Sequence, residues 1–165
     1  MIYWFWGYPG IGKDHVAKNF SEVAGVLYLD GDFFLNKTEK SKLMRGTFTK
    51  SDRLKKLRRI VQHLKSIKKD IAITDSLPDS NSRKFLLNTF KKDIVFILVK
   101  SSVLKHKKQT RERKSHFFNA EMIDNYVKNN WEKIENFPHV IFRNENKTKM
   151  DMRRELLKIC RKFSK

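Results

Sequence analysis

A run of β-prone residues, Ile2-Tyr3-Trp4-Phe5-Trp6, passes directly into Gly7-Tyr8-Pro9-Gly10-Ile11-Gly12-Lys13-Asp14, after which Val16, Ala17, Phe20 and Val23 recur at helical spacing. Strand, glycine-rich loop and helix in that order commit the chain to an α/β sheet whose first strand is buried on both faces. The loop matches the phosphate-binding pattern Gly-x-x-x-x-Gly-Lys-Ser/Thr at every position but the last. Gly7 and Gly12 permit backbone angles that side chains resist, so successive N–H groups can turn inward around phosphate oxygens. Tyr8, Pro9, Gly10 and Ile11 complete the cradle, and Lys13 reaches the outer phosphates. The helix that begins here turns its positive end toward the same anion. Where a hydroxyl ordinarily meets Mg²⁺, this chain has Asp14, and a carboxylate is itself a good Mg²⁺ ligand, directly or through water. The expected cofactors are therefore ATP and Mg²⁺.

The same alternation continues to the end of the chain. Val26 to Leu29 reads as a second strand ending in Asp30-Gly31-Asp32, followed by a polar, basic segment. Leu54, Leu57, Ile60, Val61, Leu64 and Ile67 form one stripe of a helix, with Ser51 or Asp52 as its cap. Ile71 to Thr74 makes a third strand running into Asp75-Ser76, and Pro78-Asp79 turns into a helix containing Phe85, Leu86, Leu87 and Phe90. A fourth strand covers Asp93 to Val99, and a basic stretch runs from Lys105 to Lys114. Ala120, Ile123, Tyr126 and Val127 predict a helix whose apolar face Trp131 and Ile134 extend; Val140 to Phe142 is a last strand, and a helix through Met152, Leu156, Leu157 and Ile159 follows. This pattern predicts a single α/β domain over 1–165 with the three-layer P-loop NTPase fold: a roughly five-stranded parallel sheet, helices on both faces, and a helical lid near 105–120. In such sheets ligands gather at the carboxyl ends of the strands, where the glycine loop, Asp30-Gly31-Asp32 and Asp75-Ser76 all fall.

Composition narrows the setting. At 165 residues the chain can bury roughly 70% of the surface its unfolded form exposes. A lone Cys160, beside Leu156, Leu157 and Ile159, reads as a small buried hydrophobe. The first apolar run lacks a basic leader and is far shorter than a membrane span, so the expectation is a cytoplasmic protein with no membrane partner. Lys and Arg total 37 against 18 Asp and Glu, a formal charge of +19 and a pI near 10.1. Such an excess suits a nucleic-acid partner. It is equally what a chain with lysine spread along every helix carries, and no basic tail or repeated aromatic-basic motif concentrates it.

The remaining groups point to phosphoryl transfer. A GTPase would need a base-reading Asn-Lys-x-Asp, whereas Asn144-Glu145-Asn146-Lys147 has the wrong order, and motors need more chain. Asp30 and Asp32 stand two residues apart at a strand end, so their side chains share a direction if strand geometry persists. Asp32 is the candidate base that accepts the proton of an acceptor hydroxyl, with Asp30 beside it at the substrate. Asp75 joins Asp14 as a candidate metal ligand. Arg111 and Arg113, in the basic lid, are candidates to neutralise the phosphates during transfer, Arg111 with the nucleotide and Arg113 at the transition state.

These residues resemble the gluconokinase family of shikimate-kinase-like P-loop kinases. Asp30-Gly31-Asp32, then Lys42, Met44, Gly46, Thr47 and Asp52-Arg53, resembles that family's Gly-Asp, Lys-Met, Gly and Asp-Arg run. Asp75-Ser76 with Arg83 matches the spacing of its Ser and Tyr-Arg elements, and Arg113-Lys114-Ser115-His116-Phe117-Phe118 resembles its Arg-x-x-His-Phe lid motif. The resemblance implies an ATP-dependent transfer to a hydroxyl of a sugar acid or related small metabolite. It implies Asp32 as base, Arg53 and Arg83 at the acceptor carboxylate or the phosphates, and His116 near the acceptor. Without it, His116 reads as a surface or partly buried histidine. The chain departs from the family at Asp14, at Asp79 where a Lys is expected, and at Ser82 where the family has Tyr. A rival resemblance is to polynucleotide 5′-hydroxyl kinases, through Gly7-Tyr8-Pro9-Gly10-Ile11-Gly12-Lys13 and the Asp75 to Arg83 spacing; Leu35 stands where those enzymes place an arginine. A nucleotide or other metabolite kinase, and a nucleotide-binding protein without catalysis, complete the alternatives.

Overall fold

The structure, a computed structural model, describes residues 1–102, 120–134, 136–145 and 148–163. Its strands are β1 (Ile2–Trp6), β2 (Leu27–Asp30), β3 (Ile71–Thr74), β4 (Ile94–Lys100) and β5 (Val140–Arg143). They form one sheet in the order β2-β3-β1-β4-β5, with each neighbouring pair parallel. Helices α1 (Lys13–Ala24), α2 (Lys37–Met44), α3 (Lys50–Ser66), α4 (Ser80–Phe90), α5 (Ala120–Asn130) and α6 (Lys149–Phe163) pack around it.

β1 sits at the centre, and all five of its residues are buried. Side chains alternate across a strand, so the run sorts itself between two cores. Ile2, Trp4 and Trp6 face Leu57, Ile60, Val61 and Leu64 of α3 and Leu86 of α4. Tyr3 and Phe5 face Val16, Ala17 and Phe20 of α1 and Met152 and Leu156 of α6. The expected three-layer arrangement is thus the one observed. Cys160 is half-buried against the second core.

The local differences have local causes. The strand after α1 begins and ends one residue later than the pattern suggested, and Asp30 belongs to it. The polar segment beyond is helical: Asn36 and Glu39 form a reciprocal capping box at the start of α2, and the buried Glu39 carboxylate pairs with Arg59. An Asn-x-x-Glu signal was present there, but the apolar periodicity that usually marks a helix was not. α3 is capped by Thr49, not by Ser51 or Asp52; Asp52 is the third helical residue and returns the bond to Thr49. Lys42 and the Thr49 N–H and hydroxyl hold the Asp52 carboxyl down at about 2. α5 stops at Asn130, and Trp131 leaves the helix to stack on Trp6 and meet Tyr8 edge-on. Among the described residues no helix is long and apolar enough to cross a membrane.

Candidate active site

The carboxyl ends of β1, β2 and β3 open into one cleft. Pro9, Gly10, Lys13 and Asp14 form one wall; Asp30, Asp32, Asp75 and Ser76 line the strand ends; Leu35, Leu43, Phe48, Arg53, Lys56 and Tyr126 form the far wall.

The glycine loop is shaped by contacts on both sides. Gly7 has a φ of +149°, and a Cβ there would lie 2.5 Å from the Val99 carbonyl, so β4 admits only a glycine at this point. Lys13 Nζ donates to the Tyr8 carbonyl at 3.2 Å, folding the lysine back over its own loop. Asn144, buried after β5, donates to the Ile11 carbonyl at 2.9 Å. α1 starts from Gly12 in a left-handed conformation, with no side-chain hydrogen bond capping it. Its first N–H groups and dipole therefore point toward the loop's concavity, the arrangement that receives phosphate. Tyr8 and Ile11 lie on the outer side of the loop, in a second depression with Trp131 and Ile134.

Asp30 and Asp32 do not share a strand direction. The strand ends at Asp30 and the chain tightens into a 3-10 turn over Gly31–Phe34, so the two carboxylates make different contacts. Asp30 accepts the Asp32 backbone N–H at 2.9 Å and becomes the cap of that turn. Burial raises its carboxyl above the ordinary range, partly offset by that N–H. The Asp32 carboxylate instead meets Lys56 Nζ at 3.2 Å, with its side chain 46% exposed to the cleft. Gly31 presses against β3: a Cβ would lie 2.4 Å from the Thr74 carbonyl and 2.9 Å from Asp75 Cβ. Gly31→Ala is therefore expected to cost about 1–3 kcal/mol in a thermal melt, as overpacking does, and to reduce turnover by pushing Asp32 away from Asp75. A variant with unchanged melting and unchanged rate would show that the approach is not tight.

Asp75 is buried, accepting Lys56 Nζ at 2.9 Å and the Ser76 N–H at 2.7 Å through Oδ1. Its other oxygen, Oδ2, is buried and has no hydrogen-bond partner among the described residues. Burial alone would lower the pKa of the Lys56 ammonium; the carboxylates of Asp75 and Asp32 outweigh it and hold the amine charged well above the ordinary lysine range. Among the described residues no three acidic, histidine or cysteine side chains converge as a self-contained metal cage. Mg²⁺ does not need one: it is commonly held by one or two carboxylates together with substrate phosphates. The orphaned Asp75 oxygen and Asp14, both on this cleft, fit that demand.

Arg53 lines the cleft and is fully committed to its surroundings. Nη1 donates to Asp79 at 2.7 Å, and Nη2 to the Tyr126 hydroxyl at 3.1 Å and Asn130 at 3.3 Å. Phe48 and Tyr126 lie against the guanidinium. Burial would lower its pKa, but Tyr126 and Asp79 raise it. Asp79 also caps α4, accepting both the Ser82 N–H and the Ser82 hydroxyl at 2.8 Å. Asp79 and Ser82, two of the departures from the family pattern, are thus partners of each other. Arg83 is placed elsewhere than the acceptor or phosphate position expected of it. It is buried, donates to the carbonyls of Leu77, Pro78 and Lys133, and packs over Trp6 and Phe137. It lies in the first turn of α4, away from the residues that line the cleft, and ties the segment after α5 to the turn before α4. Arg111, Arg113 and His116, with nearly all of the expected lid, lie outside the described residues.

Lys56 and Asn144 are the site residues that sequence reasoning missed. Lys56 lies three residues after Arg53 on α3, a spacing that places both on one helix face, but nothing local distinguishes it from the other lysines of that helix.

No family model matches this chain, and no curated protein matches it by sequence. Solved structures do match in three dimensions. A gluconokinase from Sinorhizobium meliloti 1021 superposes with a TM-score of 0.80 at 19% identity, over 98% of this chain and 92% of that one. A sugar kinase from Janibacter sp. gives 0.77 at 18% identity, over 95% and 92%. The shikimate kinase from Acinetobacter baumannii, solved with shikimate, gives 0.68 at 14% identity, over 99% and 94%. At these identities the likeness is one of fold, and it agrees with the strand order and the glycine loop: this chain has the α/β fold of the P-loop kinases, in the form shared by gluconokinase and shikimate kinase.

Proposed function

We propose that this chain is a small kinase that transfers the γ-phosphoryl group of ATP to a hydroxyl of a sugar acid or related small metabolite, as a gluconokinase does. The observation that carries this reading is a single cleft with the glycine loop and Lys13 on one side and the accessible carboxylate of Asp32 on the other. The loop N–H groups and Lys13 hold the triphosphate. Asp14 and Asp75 would hold Mg²⁺, whose charge offsets that of the phosphate oxygens when it is bound. The acceptor hydroxyl lies against Asp32, which takes its proton as the acceptor oxygen bonds to the γ-phosphorus; the bond from that phosphorus to the β,γ-bridging oxygen breaks, and ADP leaves. Arg53, whose guanidinium is taken up by Asp79, Tyr126 and Asn130, is proposed to act at the acceptor by holding the wall of the cleft on that side. Arg111, Arg113 and His116 are proposed to act from the lid, and the reaction is assigned to the cytoplasm.

A polynucleotide acceptor is the second reading. It draws on the charge of +19 and on the outer side of α3, where Lys55, Arg58 and Lys65 are exposed and no acidic residue follows Asp52. One panel separates the two: purified protein with Mg-ATP and gluconate, shikimate, nucleoside monophosphates or a 5′-hydroxyl oligonucleotide. Phosphorylation of a sugar acid is the expected result. Transfer to the oligonucleotide, falling steeply with salt, would replace the first reading with the second. ATP binding with no transfer to any acceptor would point to a nucleotide-binding protein without catalysis.

A further inference from the structure

Lys56 joins carboxylates from two different strand ends in the cleft. Asp75 follows β3 and Asp32 lies in the turn after β2, and these strands are neighbours in the sheet. The Lys56 side chain is 5% exposed, and its ammonium meets Oδ1 of Asp75 at 2.9 Å and Oδ1 of Asp32 at 3.2 Å. Lysine is rarely buried without a partner, and one carboxylate would satisfy that need. Here two are engaged, one open to the cleft and one buried with its second oxygen unpartnered among the described residues. Two carboxylates drawn to one ammonium are held at a defined separation, whereas without it their like charges repel.

We propose that Lys56 is a positioning residue for phosphoryl transfer, setting the acceptor-side carboxylate of Asp32 at a fixed distance from Asp75. This rests on the reading of Asp32 as the group that meets the acceptor. Lys56 takes no proton and forms no bond to phosphorus; it acts through Asp32. Its removal should therefore lower kcat and spare nucleotide binding, which depends on the loop on the opposite wall. A displacement of about 1 Å at a reacting group is enough to cost on the order of 10²-fold in rate.

The test uses the full chain with Lys56→Met and with Lys56→Arg, the second keeping the positive charge so that neither Asp75 nor Asp32 is left without a cationic partner. Crystal structures of the wild type and the variants give the separation of the residue-32 and residue-75 side chains. Calorimetry gives ATP affinity, and steady-state kinetics use whichever acceptor the wild type phosphorylates. Expected are, in Lys56→Met, a widened separation, ATP affinity within about threefold and kcat lower by about 10²-fold, and in Lys56→Arg a recovery of both the separation and kcat. A purely structural lysine would lower melting in Lys56→Met and leave the separation and the kcat measured below the melting transition at wild-type values, and that result overturns the proposal. Unmoved carboxylates overturn it as well, whether or not an acceptor has been found. A wild type inactive on every acceptor counts against the kinase reading itself, a different failure.

Discussion

Asp32→Asn should lower kcat by about 10²–10⁴-fold, the range expected when a positioned general base is lost. Asparagine matches aspartate in shape, and its carbonyl oxygen can still accept from Lys56, so the 3.2 Å contact to that ammonium can persist. What disappears is the capacity to take the acceptor proton. Nucleotide affinity should change little, because the proposed triphosphate site is made by Lys13 and the glycine loop and not by Asp32. Steady-state kinetics with the identified acceptor, paired with calorimetric ATP binding, separate the two effects. A kcat close to wild type would remove Asp32 from the proton transfer and leave it as a partner of Lys56 alone.

Arg53→Met should destabilise the protein by about 3–5 kcal/mol, the cost of stranding a buried carboxylate. The pair is sealed from water, with side-chain exposures of 3% for Arg53 and 2% for Asp79, so solvent cannot replace the lost partner. In a domain of this size each kcal/mol moves the midpoint by roughly 2–4 °C, and the fall in Tm should be on the order of 10 °C. Adding Asp79→Asn removes the stranded charge while keeping a good helix cap at α4. The double variant should recover a large part of the loss in a thermal melt. Equal melting of Arg53→Met and wild type would mean that Asp79 is satisfied without the arginine.

These two residues illustrate how unevenly the site was legible. Asp32 could be found from Asp-Gly-Asp at the end of a strand, because that signal is contained in three adjacent residues. Its neighbour could not be placed the same way. The inference that Asp30 and Asp32 point together assumed that the strand continued, and the 3-10 turn at Gly31 instead made Asp30 a cap. Arg53 belonged to a recognised pattern, yet its partner Asp79 was seen only as a departure from that pattern. The ion pair spans 26 positions and arises because α3 and the start of α4 meet at one side of the sheet. Arg83 fitted a spacing and not a place: its guanidinium is held by three backbone carbonyls away from the residues that line the cleft.

The sequence by itself determined the central strand, the glycine loop and the helix that follows, and with them the parallel three-layer fold. Those features depend on hydrophobic period and on backbone freedom at single glycines, both of which act over a few residues. Which charges share the cleft was decided by the tertiary structure alone. Lys56 reaches Asp32 and Asp75 across 24 and 19 positions, and one lysine among many became the centre of the site because the sheet order brought two strand ends beneath its helix, where burial makes each unpaired charge too costly to leave without a partner.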